Sequence, residues 1–137
     1  RTWPDLKKDY IETGKVRFIF REFPLNNEAY AMSMLARCAP ADKYFEVVEI
    51  MFEQLRSGAL SGDFLAALTN LSKQIGFTQE SFNECLTNDG LLDALRAEAD
   101  RAGTFGVNST PTFFINGEKH SGALSIEDIG KIIEDNL

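Results

Sequence analysis

The spacing of apolar residues changes four times along this chain, and each change marks an element. Over residues 4–13, Leu6, Tyr10 and Ile11 fall on one helical face. Pro4 suits a first turn, Asp5 its positive end and Gly14 a C-cap, so a short opening helix is predicted. Residues 16–23 then read as a strand stopped by Pro24. Val16, Phe18, Phe20 and Glu22 lie on one face of it, and Arg17, Ile19, Arg21 and Phe23 on the other. From Asn26 the period is helical and remains so to Gly103. Asn26 or Asn27 caps a helix carrying Ala31, Met34, Leu35 and Cys38, which Ala39-Pro40 breaks. Tyr44, Val47, Val48, Met51, Phe52 and Leu55 repeat the spacing in a second helix, and residues 56–62 form a loop. Phe64, Leu68, Leu71 and Ile75 mark a third helix closed by Gly76. Thr78 caps a short fourth with Phe82 and Cys85. Leu91 or Leu92, Leu95, Ala99 and Ala102 mark a fifth.

The last third reads as a hairpin and a helix. Proline cannot donate to a ladder, so Pro111 belongs at the mouth of a strand. The run Phe113-Phe114-Ile115 suits a strand covered on both faces. Asn116-Gly117 tolerates the positive φ of a two-residue turn, and residues 119–123 return. Ser125-Ile126-Glu127-Asp128 opens the last helix with a spacing close to a capping box. The order is helix, strand, five helices, hairpin, helix. No internal repeat or low-complexity segment interrupts it.

Composition narrows the chemistry. At 137 residues and 44% hydrophobic, with eleven phenylalanines, the chain can bury a sizeable core without a metal or extra staples. A net charge of −7 argues against nucleic-acid partners, which need clustered Lys and Arg. No apolar run approaches a membrane span, so membrane insertion is not expected. No phosphate loop, zinc pattern or serine elbow is present, and no cofactor or metal is expected. His120, the single histidine, is expected to be solvated on the outer hairpin strand. Glu46, Glu49 and Glu53, and likewise Glu98 and Asp100, read as solvated helix faces. Glu22 closes a core strand. Its charge points to solvent or to a site, where it would shift a cysteine pKa. Cys38 and Cys85 are 47 positions apart and form no local metal or redox motif. The residues alone leave three readings of them: buried thiols, a structural bridge, or a reactive pair.

Ser109-Thr110-Pro111-Thr112-Phe113-Phe114-Ile115-Asn116-Gly117, with residues 103–107 before it and Gly122-Ala123 after it, resembles the cis-proline end of the DsbA-like branch of the thioredoxin superfamily. On its own Pro111 would read as a trans proline opening an edge strand, since only roughly 5–6% of X-Pro bonds in folded proteins are cis. The resemblance implies a cis bond after Thr110, with the backbone beside it docking a substrate as an added strand. Thr110 and Pro111 would hold that backbone, and residues 107–109, Val107 and Ser109 among them, would line its approach. It further implies an α/β thioredoxin-like fold, residues 1–25 and 104–137, with a helical insertion domain over residues 26–103 covering one side of the groove. The implied activity is protein thiol–disulfide exchange, with reduced exported proteins and a quinone-linked membrane reoxidase as partners. The implied compartment is the periplasm or bacterial cell envelope. There two thiols of one small domain usually pair, which favours a structural Cys38–Cys85 bridge.

One part of the family pattern is absent. Exchange needs a thiolate of lowered pKa, usually the first Cys of Cys-x-x-Cys at a helix N-terminus, and this chain has no such motif. By resemblance the motif and the first strand would come before Arg1, so the chain by itself is expected to be inactive. It opens Arg-Thr-Trp-Pro within folded-looking sequence, without a leader, which suggests a processed or truncated product. In this fold the absent strand lies between residues 16–23 and the Pro111 strand. Those two are therefore expected about 10 Å apart rather than paired. Two alternatives stand beside the oxidoreductase: a non-catalytic peptide-binding module, and a glutathione-dependent transferase or isomerase.

Overall fold

The computed structural model describes residues 2–137. It divides into two compact units, one formed by the chain up to Arg21 with Arg101–Leu137, the other by Glu22–Asp100.

In the first unit, helix α1 (Thr2–Leu6) runs on as a single π-helical stretch, Lys7–Ile11, and Gly14 turns the chain with φ 78°. Strands β1 (Thr112–Ile115) and β2 (Glu118–Ser121) form an antiparallel pair with Phe113 opposite His120. Asn116 and Gly117 take φ 48° and 84°, the left-handed pair that a tight hairpin turn requires. The last helix, α7 (Ile126–Asp135), is capped by the Ser125 hydroxyl, which accepts the Asp128 N–H at 3.1 Å. Leu6, Ile129 and Ile133 form the buried centre, each contributing roughly 1.5–3 kcal/mol by leaving water. Trp3 and Phe18 close one side with ring centroids 4.9 Å apart. The π-helical stretch packs closely on α7 because residue 130 is glycine: the Tyr10 hydroxyl occupies the place a Cβ would take.

Three expectations need correction here. Residues 16–23 keep the side-chain alternation of a strand, with Val16, Phe18 and Phe20 half-buried and Arg17, Ile19 and Arg21 exposed. They do not enter the sheet, which among the described residues has only β1 and β2. A strand is defined by its ladder, and alternation alone supplies none. The returning strand lies at Glu118–Ser121 rather than 119–123, because the two-residue turn sets the register from Asn116 and Gly117. His120 is not solvated: its side chain is 21% exposed, and Nε2 is buried with no hydrogen-bond partner. Glu118, its nearest acid, stands 3.7 Å away.

The second unit is helical. α2 (Asn27–Cys38) starts where the Asn26 side chain accepts the Ala29 N–H at 2.8 Å. After a 3₁₀ turn, Ala41–Lys43, come α3 (Tyr44–Ser57) and α4 (Phe64–Gln74), the latter capped by Asp63. α3 extends two residues into the expected loop and stops at Gly58, whose φ of 77° is the left-handed C-cap conformation. α5 (Gln79–Leu86) has a reciprocal capping box between Thr78 and Ser81. α6 (Asp89–Thr104) begins in this unit and runs past its boundary. Leu35, Leu68 and Leu95, from α2, α4 and α6, are at most 1% exposed and fix the core. The buried Ser72 hydroxyl is satisfied by the Thr69 carbonyl at 2.7 Å.

Candidate functional site

The loop between α6 and β1 is built before its chemistry is. Gly106 N–H donates to the Gly103 carbonyl at 3.0 Å and Val107 N–H to Ala102 at 3.2 Å, so the loop leaves α6 in a tight turn. Lys119 Nζ reaches from β2 to the Gly106 carbonyl at 3.2 Å. Gly106 has φ 80°, and a Cβ there would stand 2.8 Å from that Nζ. Phe105 and Phe114 meet edge to face at 6.4 Å. The loop is thus held to the helix, to β2 and to β1.

Beyond these ties the backbone opens to solvent. Asn108, Ser109, Thr110 and Pro111 are exposed, while Val107 is half-buried. The Thr110–Pro111 peptide is cis. Thr112 Oγ1 donates to the Ser109 carbonyl at 2.8 Å, and the Pro111 carbonyl accepts Gly122 N–H at 2.9 Å. Among the described residues nothing takes up the N–H or C=O of Thr110. β1 pairs with β2 along one edge only. Exposed backbone donors and acceptors such as those of Thr110 are what an extended peptide needs in order to add as a strand.

The other candidate residues lie in the helical unit. Cys38, at the end of α2, and Cys85, in α5, are joined by a disulfide with Cα atoms 6.2 Å apart. Cys85 is buried and Cys38 is exposed. The bond ties two helices across 47 residues of sequence, and neither sulfur begins a helix. Glu22 is held by Arg37: Nε donates to Oε2 at 2.7 Å and Nη2 to Oε1 at 3.0 Å. The hydrogen bond to Glu22 raises the Arg37 pKa against the lowering effect of burial. Burial, and then the Glu22 carboxylate, hold the Tyr44 phenol well above its ordinary value. Glu98, expected to be solvated, is half-buried and adds its charge to the field on Arg37.

So Val107, Ser109, Thr110 and Pro111 share one loop, Cys38 and Cys85 share one bond, and Glu22 is engaged by Arg37 and Tyr44. The sequence reading missed Arg37 and Tyr44. Both lie on helices whose apolar spacing accounts for their neighbours, and no local motif singles them out. Among the described residues, no group of His, Cys, Asp or Glu is arranged to hold a metal.

The family model described as Thioredoxin matches residues 2–135. A Rickettsia felis protein named "Putative protein-disulfide oxidoreductase" is 29% identical over 141 residues, covering 98% of this chain and 49% of that protein. A Rickettsia prowazekii protein of the same description is 30% identical over 139 residues, covering 98% and 50%. The chain therefore spans about half the length of the curated relatives it matches. The crystal structure of Wolbachia pipientis alpha-DsbA1 superposes with a TM-score of 0.87 at 26% identity, over 98% of this chain and 75% of that one. By the family match across nearly its whole length, and by its likeness to that structure, the chain belongs to the thioredoxin family and is DsbA-like.

Proposed function

We propose that the protein to which this chain belongs oxidises thiols of exported proteins by thiol–disulfide exchange, and that the strand mouth at Thr110 and Pro111 docks the substrate backbone. The observation that carries this reading is the exposed stretch 108–111, with its cis Thr110–Pro111 peptide and with the Thr110 backbone groups untaken among the described residues. The names of the Rickettsia relatives support the reaction class. In the exchange, a substrate thiolate attacks one sulfur of a protein disulfide, and the other sulfur leaves as a thiolate. A second substrate thiolate then attacks the mixed disulfide, so the substrate ends oxidised and the protein pair reduced. A quinone-linked membrane protein is the proposed reoxidant.

The reacting pair is proposed to be other than Cys38 and Cys85. Their bond links two packed helices, and its Cys85 half is buried. This stretch alone would then be inactive. The same bond supports export, since disulfides persist in oxidising compartments. Glu22 is proposed to hold Arg37 rather than to tune a cysteine, because both its oxygens are already engaged.

Amide hydrogen exchange on a trapped mixed disulfide of the full-length protein tests the docking. The reading expects slowed exchange at Ser109, Thr110 and Thr112; unchanged exchange there would remove the docking edge. A second reading is a peptide-binding module without catalysis, which the exposed stretch 108–111 would serve equally. It predicts the same protection from a cysteine-free peptide, with no thiol oxidation by the full-length protein.

A further inference from the structure

The charge of the chain is unevenly placed. Residues 22–100 hold thirteen Asp or Glu against five Lys or Arg, a net −8, while the remaining residues hold eight against nine, a net +1. All the excess negative charge belongs to the helical unit. That unit also displays large apolar side chains on one of its helices. On α3, Val47 and Met51 fill the core, yet Phe45, Phe52 and Leu55 remain 45%, 49% and 49% exposed. Their spacing of i, i+7 and i+10 sets them on one ridge beside the buried face. Single exposed apolar residues are ordinary, but three on one ridge make a patch. Glu46, Glu49 and Glu53 occupy the adjoining solvent side of the same helix.

We propose that this ridge of α3 docks a polypeptide segment rich in apolar side chains and in Lys or Arg. Charge selects the occupant. A second copy would bring another strongly acidic unit, and nucleic acids and anionic bilayers repel an acidic surface as well. A cationic segment is attracted, its apolar residues cover the ridge, and its guanidinium groups can lie on the Phe45 and Phe52 rings. Glu46 and Glu53 already pair with Lys43 and Arg56, each at 3.4 Å. Those pairs are exposed and one helical turn long, so exchanging them for a partner's cation costs little. This surface lies apart in sequence from the strand mouth at Thr110 and needs no thiol, so the proposal stands whether or not substrates dock there.

The test uses the whole protein and labelled, cysteine-free peptides of about 15 residues, a length set by the roughly 1.5 Å rise of a helical ridge. One peptide alternates Arg with Leu and Phe, one has Glu in place of Arg, and one has Ser in place of the apolar residues. Fluorescence anisotropy should show binding by the first alone, weakening as salt rises. Phe52→Ser with Leu55→Ser should weaken it by about tenfold. Mapping of amide chemical shifts in the unaltered protein, which needs no variant to fold, should place the largest changes at Phe45, Glu49 and Phe52. Equal binding of the acidic peptide, an undiminished affinity in a folded variant, or shifts confined to other helices would each overturn the proposal.

Discussion

Arg37 grips Glu22 with two nitrogens, Nε at 2.7 Å and Nη2 at 3.0 Å, and the Glu22 side chain is left only 9% exposed. The pair fastens the first residue of the helical unit to α2. Arg37→Ala leaves a shielded carboxylate without its donor and should cost about 1–3 kcal/mol. Arg37→Lys restores the charge but not the fork and should recover only part of that loss. Urea midpoints of the three proteins measure both effects.

Tyr44 gives this unit an alkaline limit. Its phenol is held above its ordinary value by burial first and by the Glu22 carboxylate second. The folded state therefore retains the proton more tightly than the unfolded chain. The resulting stability is complete below the unfolded value of about 10, and is lost as pH rises from there toward the folded one. Unfolding free energy should thus fall above about pH 10, and Tyr44→Phe should flatten that fall. Urea titrations on either side of that pH read the slope directly.

The disulfide should act as a staple. Closing the 47-residue separation between Cys38 and Cys85 is worth about 4 kcal/mol by chain entropy. Reduction, or Cys38→Ala with Cys85→Ala, should lower the denaturation midpoint of the helical unit by a corresponding amount. Chemical denaturation with and without reductant checks it. A midpoint indifferent to reductant would show that the helices need no cross-link.

Gly130 should tolerate no side chain. With the Tyr10 hydroxyl in the position of its missing Cβ, Gly130→Ala forces the Tyr10 ring off α7. A loss of about 1–3 kcal/mol is expected from such overpacking. Tyr10→Phe removes the nearest atom, so the double variant should regain part of the loss. Thermal melts of the two single variants and the double variant test this coupling.

What the sequence made legible follows from the range of each interaction. The caps at Asn26, Thr78 and Ser125 and the turn at Asn116 and Gly117 are written within a few residues, and each sits where its local chemistry requires, whereas the opening helix stops at Ile11 with Glu12 rather than Gly14 as its C-cap. Residues 16–23 show the opposite case. Their alternation is local, but a ladder depends on a partner strand, and among the described residues no strand lies against them. His120 is half-buried because of its register opposite Phe113, which no pattern around position 120 encodes. Likewise, the grip of Arg37 on Glu22 and the nearness of Tyr44 arise when the chain folds back over 15 and more residues. The loop 107–111 was legible as a motif, while its ties to Lys119 and Phe114 were not.

The central claim is that Cys38 and Cys85 brace a helical unit while exchange runs on another thiol pair. Its most direct test is the rate at which the full-length protein oxidises a two-cysteine peptide, measured before and after Cys38→Ser with Cys85→Ser. The account predicts an unchanged rate at a temperature where both forms are folded. A rate reduced to that of the uncatalysed reaction would contradict it and make Cys38 and Cys85 the reacting pair.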